Sequence, residues 1–138
     1  MLRNLVRVLC TIPICLTVAH AQCPVHDVVV RGHIANPAPN STIHVHLVYA
    51  NKKPGESAEL IPEDGSFHIP IEFLTQSSRP LLANLPAKCG RKPQSVVVTL
   101  LDGDQERDSV SLMFPSDFDQ TDPLYYVVRS EVVLKDAH

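Results

Sequence analysis

Apolar and polar residues alternate in short runs along most of the chain, and turn residues separate the runs. In the stretch STIHVHLVYA, every second position from Ile43 to Tyr49 is apolar. A period of two places apolar side chains on one face of a β-strand and polar side chains on the other. Runs of this kind, spaced by Pro, Gly, Asn and Asp, predict an all-β domain that is an antiparallel sandwich or barrel. The other apolar sets are Val28, Val30 and Ile34; Phe67, Ile69, Ile71 and Phe73; Val96, Val98 and Leu100; Val110, Leu112 and Phe114; and Val128, Val132 and Leu134.

The Asp64-Gly65 pair predicts a two-residue hairpin turn, because both residues tolerate positive φ angles. Centring the turn there predicts that the two flanking strands pair in one sheet. Apolar residues then face each other: Leu60 with Ile69, and Ala58 with Ile71. Pro70 lacks an N–H group, so we expect its strand at a sheet edge.

A second hairpin is predicted to join SVVVTLL to DSVSLMF through the acidic stretch DGDQER. One register keeps its apolar residues on one face: Leu100 with Val110, Val98 with Leu112, and Val96 with Phe114. Val97 and Leu101 make the first of these strands apolar on its other face as well, which indicates a central or covered strand.

The first residues are typical of a secretory signal peptide. Arg3 and Arg7 precede a short apolar stretch, and Ala19-His20-Ala21 offers a small-x-small cleavage site. We expect residues 1–21 to be the signal peptide and residues 22–138 to form one domain that is secreted or periplasmic. Because the signal holds two of the 12 basic residues and no acidic one, cleavage leaves ten against 15, a net charge of −5. That charge argues against nucleic acid or an anionic membrane as a partner.

Cleavage also removes Cys10 and Cys15 and leaves Cys23 and Cys89. Two cysteines in an exported chain most simply form one disulfide. The alternative is a pair of free or partner-bonded thiols.

His44 and His46 point the same way from one strand, opposite the apolar set that begins with Ile43. If the preceding strand formed a direct hairpin with this one, His33 would lie opposite His44. The three imidazoles could then bind zinc or copper. We expect instead a solvated polar face on which His44 and His46 are exposed, unliganded and titrate near pH 6.5, and metal binding is the alternative.

Other chemistry has little support in the sequence. The acidic run DGDQERD lacks the central glycine and final bidentate glutamate of an EF-hand loop and is better explained as a solvated hairpin tip. No Gly-x-Ser-x-Gly motif or phosphate-binding loop is present, so we expect no enzyme and no cofactor. With no tryptophan, sugar stacking would depend on Tyr125 being exposed. Asn40 begins an Asn-x-Thr glycosylation motif.

The order VVVRGHI, IHVHLVY and EDGSFHIPI resembles the transthyretin-like (prealbumin-like) domains, which include carboxypeptidase regulatory-like modules. The resemblance covers residues 28–73 and is sharpest at the acidic-Gly turn followed by Phe67. The second half, from CGRKPQSVVV onward, resembles small exported bacterial proteins of the same fold. The family's glycine-rich first turn is replaced here by NPAPN, and the Tyr-Arg-Gly-Ser signature of its hydroxyisourate hydrolases is absent, so that activity is not expected.

The resemblance implies an Ig-like or prealbumin-like β-sandwich of seven or eight strands. It also implies that the first two strands lie in opposite sheets, which would separate His33 from His44. We expect an exported, non-catalytic module for binding, spacing or scaffolding, with a protein or the cell surface as its partner. The alternative is a small secreted module that binds zinc, copper or carbohydrate.

Overall fold

The computed structural model describes residues 25–74 and 92–136 of the chain. Within these residues nine strands form two sheets that enclose one core, so the predicted all-β sandwich is confirmed. In this part of the chain, no helix is long and apolar enough to cross a membrane. The strands are β1 (Val25–Ala35), β2 (Ser41–Val48), β3 (Pro54–Leu60), β4 (Ser66–Leu74), β5 (Ser95–Asp102), β6 (Gln105–Met113), β7 (Phe118–Asp122), β8 (Tyr125–Val128) and β9 (Val132–Lys135), with a 3-10 turn at Ala50–Lys52.

The described strands divide into a five-stranded and a four-stranded sheet. The first has the order β4-β1-β8-β7 with β9 also beside β1, and the second has the order β3-β2-β5-β6. β8 and β9 pair in parallel with successive parts of β1. The expectation of a purely antiparallel sandwich with seven or eight strands is therefore wrong, because the last apolar run divides into two short strands that follow β1.

The turn at Asp64-Gly65 is confirmed, since both residues have positive φ angles of 50° and 77°. The predicted pairing across it is wrong. β3 pairs with β2 and β4 pairs with β1, so the chain changes sheets at this turn and only the Glu63–Ser66 bridge closes it. Leu60 instead faces Ile43 of β2. β4 is an edge strand, as Pro70 indicated.

The hairpin of β5 and β6 is confirmed, but its register differs by two residues from the prediction. Val98 lies opposite Val110, and Val96 opposite Leu112. The shift arises because the turn is tight, with Asp102 opposite Gln105, and because an irregularity in the pairing follows it in β6. β5 lies between β2 and β6, which confirms that it is central.

The core lies between the sheets and ends in a cluster of aromatic rings. Phe114 packs against Phe73 and Tyr126 with ring centroids 5.5 and 4.8 Å away. His26 stacks on Phe73 at 5.1 Å. Burial lowers the pKa of His26, as does the charge of Lys92, while Asp27 acts in the opposite direction. This imidazole therefore functions as an aromatic core residue.

Gly32 of β1 allows β9 to dock. A Cβ atom at this position would lie 2.0 Å from the carbonyl oxygen of Val132 and 2.6 Å from the ring of Phe67. Any side chain here would therefore separate β9 from β1.

Residues 1–21, Cys23 and Cys89 lie outside the described residues. The signal peptide and the Cys23–Cys89 disulfide remain predictions.

Candidate functional site: the histidine face

His44 and His46 lie on β2 and point outward from the four-stranded sheet, because Ile43, Val45 and Leu47 are fully buried in the core. We call the outward residues of this sheet the histidine face. The face consists of Ser57 and Glu59 on β3; Thr42, His44, His46 and Val48 on β2; Ser95, Val97, Thr99 and Leu101 on β5; and Glu106, Ser109, Ser111 and Met113 on β6.

The two imidazole rings lie side by side, with centroids 5.7 Å apart and planes inclined by 32°. Both side chains are half-buried, so the expectation that they are exposed is wrong. The reason is their position inside the sheet. His44 has Glu59 and Thr99 as its cross-strand neighbours, and His46 has Ser57 and Val97.

The surroundings of His46 favour its neutral form. Burial lowers its pKa below the ordinary value of 6.5, and the adjacent His44 lowers that pKa further. The expectation that His46 titrates near pH 6.5 is therefore wrong. Its Nδ1 atom is also buried without a hydrogen-bond partner. Protonation would create an N–H donor at this atom with nothing to accept it, which opposes the charged form.

Thr99 lies at the centre of the histidine face and is only 7% exposed although it points outward. Its Oγ1 atom is 3.3 Å from the Oγ of Ser109, within hydrogen-bond distance. Val97 and Leu101, its neighbours along β5, are half-buried. The middle of the face is therefore close-packed and made of aliphatic, imidazole and hydroxyl groups.

Full charges occur only at the margins of the histidine face. Apart from the histidines, its ionisable side chains are those of Glu59 on β3 and Glu106 on β6, and both are exposed. Both strands are edges of the sheet. Exposed apolar side chains lie at two corners, with Met113 57% exposed and Ile61 73% exposed just beyond β3.

His33 lies on the outer face of the five-stranded sheet and does not approach the histidine pair. Its Nδ1 is 3.9 Å from Oε2 of Glu131. Because β1 and β2 belong to opposite sheets, the direct hairpin that would place His33 opposite His44 does not form. Among the described residues, no three His, Cys, Asp or Glu side chains are arranged to hold a metal ion. The expected placement of His33 and His44 in opposite sheets is therefore confirmed, and the fold does not bring His33, His44 and His46 together.

The remaining predicted positions are dispersed. The acidic run forms the tip of the β5–β6 hairpin, where Asp104 is exposed and Asp102 accepts a hydrogen bond from Arg107 at 2.8 Å. Tyr125 is half-buried, so it offers only part of its ring for sugar stacking. Asn40 is exposed in the turn between β1 and β2.

Sequence reasoning did not identify Thr99 as part of a site. A signal was present, because Val97 and Leu101 share its outward parity and made the strand apolar on both faces. An outer face with two apolar positions in a central strand indicates close packing there, and Thr99 lies between them.

Two shallow depressions flank the four-stranded sheet. One, of about 510 Å³, lies beside Ile61 and the Glu63–Ser66 turn. The other, of about 470 Å³, lies beside Tyr49, whose hydroxyl donates a hydrogen bond to Glu56. Both are open to solvent, so they do not enclose a small ligand.

The fold and this surface define a class of molecule: an all-β sandwich with one close-packed, charge-poor outer face. No protein-family model, curated protein or solved structure matches the chain. What the chain does must therefore be inferred from its own geometry.

Proposed function

We propose that this chain is an exported, non-catalytic β-sandwich module that binds a partner protein through the histidine face. One observation carries the proposal: the centre of the face lacks full charges, while Glu59 and Glu106 lie at its margins. Protein interfaces have the same organisation, with charged residues depleted at the core and a polar rim around it.

The energetics of desolvation support this use of the face. Docking removes water from the central side chains, and the cost of doing so is several kcal/mol for an ionised group but about 1–3 kcal/mol for a hydroxyl. The lowered pKa of His46, which favours its neutral form, and the hydroxyls of Thr99 and Ser109 keep that cost low. The exposed side chains of Met113 and Ile61 add apolar area that a partner can bury.

The other parts of the proposal rest on the sequence. Export rests on the signal-like residues 1–21, and the absence of catalysis rests on the lack of a nucleophile or phosphate-binding motif. The resemblance of residues 28–73 to transthyretin-like domains is part of the same proposal, because modules of that kind serve binding, spacing or scaffolding.

The test compares one substitution on the two outer faces. Ser111→Arg places a charge on the histidine face, and Ser66→Arg places the same charge on the outer face of β4; both residues are exposed. The wild type and both variants are immobilised and exposed to the secreted and surface proteins of the source cells. Circular dichroism confirms that both variants are folded.

We expect a discrete protein that binds the wild type and Ser66→Arg but not Ser111→Arg. A partner lost from Ser66→Arg and retained by Ser111→Arg would contradict the proposal. Titration calorimetry with zinc, copper and a glycan panel should give no saturable heat; heat that is lost in Ser111→Arg would assign the face to metal or carbohydrate binding instead.

A further inference from the structure

The four-stranded sheet has two lateral edges, β6 and β3, and the edge at β6 is closed. The N–H of Ser109 donates a hydrogen bond to Oδ1 of Asp108 at 2.9 Å. The N–H of Met113 donates one to Oδ2 of Asp117 at 2.6 Å. The second oxygen of Asp108 accepts the N–H of Lys135 on β9 at 2.8 Å. These carboxylates occupy main-chain donors that an added strand would need, so β6 is a poor template for pairing.

The edge at β3 is open. β3 pairs with β2 on one side, and in the described part of the chain no strand pairs with its other side. Among the same residues, no side chain forms a hydrogen bond with the main chain of β3. Alternate residues of an edge strand direct their N–H and C=O groups away from the sheet. Only Pro54, at the first position of β3, lacks an N–H. β3 therefore presents a row of unpaired main-chain groups to solvent.

The edges of the five-stranded sheet are less suitable templates. β4 has Pro70 at the middle of its nine residues, so one main-chain donor is missing. β7 has only five residues, and its pairing with β8 contains an irregularity between Gln120 and Asp122. Among the described sheet edges, β3 therefore offers the longest run with neither an internal proline nor a capping carboxylate.

A shallow depression lies at each end of β3. The first, of about 470 Å³, is lined by residues that include Tyr49, Lys53 and Gly55. A Cβ atom at Gly55 would lie 2.1 Å from Cε2 of Tyr49, so the glycine lets this ring lie against β3. The second depression, of about 510 Å³, is lined by residues that include Leu60 and Ile61. Gly55 and Leu60 are about 17 Å apart along an extended strand. A strand laid along β3 would therefore reach both depressions.

The β3 edge is acidic along its length. Residues 53–64 contain four carboxylates and one ammonium group, which gives a net charge of −3. All five side chains are exposed: Glu56, Glu59, Glu63, Asp64 and Lys53. Pairing two copies of the chain through this edge would bring like charges together, which opposes a homodimer. A strand with lysine or arginine side chains would instead complement the edge.

We propose that the free edge of β3 binds a basic, extended segment of a partner protein as an added β-strand. In complexes of this kind, main-chain hydrogen bonds supply affinity, and pockets for alternate side chains supply specificity. The two depressions accept apolar side chains of the segment, which also buries Ile61, now 73% exposed. The binding surface is the side of the sheet and not the histidine face, so this interaction does not depend on the function proposed above.

The test uses a synthetic peptide of alternating lysine and valine that has the length of β3, seven residues. Valine favours the extended conformation, and lysine supplies the positive charge. One control peptide has glutamate in place of lysine. Another has methylated main-chain nitrogens, so it keeps its charge but cannot donate main-chain hydrogen bonds. The protein variants are Glu59→Lys on β3 and its matched control Glu106→Lys on β6, since both residues are exposed at opposite margins of one sheet.

We expect calorimetric titration to detect binding of the lysine–valine peptide to the wild type at concentrations up to about 1 mM, and of neither control peptide. Glu59→Lys should weaken this binding about fivefold to tenfold at low salt, because an attraction becomes a repulsion. Glu106→Lys should change it by less than about twofold. Amide hydrogen exchange should slow at alternate residues of β3 when the peptide binds and stay unchanged on β6.

Ser111→Arg separates this proposal from the proposed function, because it alters the histidine face and should leave peptide binding unchanged. Three outcomes would overturn the β3 proposal: a wild type that does not bind the peptide, equal weakening by Glu59→Lys and Glu106→Lys, or equal binding of the methylated peptide. Slower exchange on β6 instead of β3 would also overturn it. A dimer of the free chain that the peptide disrupts, detected by sedimentation, would assign the edge to a second copy instead.

Discussion

The outer faces of the two sheets differ in where they carry charge. On the histidine face, charge is limited to Glu59 and Glu106 at the sheet edges. On the five-stranded sheet, charged side chains point outward from four of the strands. They are Asp27 and Arg31 on β1, Glu72 on β4, Asp119 on β7 and Lys135 on β9. Each face nevertheless has a packed centre, since Val29 is 1% exposed and Thr99 is 7% exposed.

The difference shows that inward and outward positions of one strand meet different physical requirements. Inward residues of both sheets are apolar because they must build one core. Outward residues can differ independently of the core, since successive side chains never share a face. Charged side chains spread over four strands keep the five-stranded sheet hydrated, whereas the histidine face can lose its water at lower cost.

The largest effect should come from separating β9 from β1, which would remove Lys135 from the charged face. Gly32→Ala places a Cβ against the Val132 carbonyl and the Phe67 ring. We expect a loss of about 3 kcal/mol in the free energy of unfolding, measured by urea denaturation. Gly103→Ala is the control: its Cβ meets nothing within 4 Å, so only the positive φ of 61° costs energy, about 1 kcal/mol. Equal losses in both variants would show that β9 does not pack against β1 at Gly32.

A charge at the centre of the histidine face should also be costly. Thr99→Asp buries an ionised side chain on the outward surface, and we expect a loss of about 1–3 kcal/mol in the same assay. Ser66→Asp, exposed on the other sheet, should change stability by less than about 0.5 kcal/mol. If Thr99→Asp caused no loss in the free energy of unfolding, the centre of the face would be open to solvent.

Acid should weaken the fold through His26 and His46. Their pKa values are lowered from 6.5 in the folded state, so the unfolded chain binds protons first as the pH falls. The contribution of these two histidines to the free energy of unfolding should therefore be fully present above pH 6.5. It should decline as the pH falls below 6.5, until the pH passes their folded pKa values. His46→Gln should reduce this decline. Urea denaturation of the wild type and the variant at several pH values measures it, and an unchanged pH profile in His46→Gln would contradict the prediction.

The smallest effect should come from the ion pairs of the charged face. Arg129 and Asp119 are 2.9 Å apart, but their side chains are 60% and 59% exposed. Arg129→Gln should cost less than about 0.5 kcal/mol, and less still in high salt. Arg107→Gln is the comparison, because its pair with Asp102 is only 27% and 28% exposed. A larger loss from Arg129→Gln would mean that the surface charges hold this sheet together.

The core and the turns could be predicted because they follow from local rules. The period-two pattern identified Ile43, Val45 and Leu47 as core residues, and the positive φ angles of Asp64 and Gly65 follow from their side chains. Pairing partners could not be predicted in the same way. Leu60 and Ile69 face the core whether their strands share a sheet or lie in opposite sheets, so alternation cannot distinguish the two arrangements.

The candidate site was predicted only in part, for a related reason. Alternation assigns His44 and His46 to the outer face but does not say how closely their neighbours on β3 and β5 cover them. A register shift of two residues also preserves every face, which is why the predicted pairing of Val98 with Leu112 kept the correct parity and was still wrong.

The parallel pairing of β1 with β8 and β9 has a consequence for the nascent chain. During synthesis, β1 has β4 as its only described sheet partner until the last strands are made. Until then one long side of a Val-rich strand stays available to other chains, a template for aggregation. Contacts between such distant segments also form slowly, since a large loop must close first. The chain should therefore depend on chaperones before release more than a sandwich of sequential hairpins does.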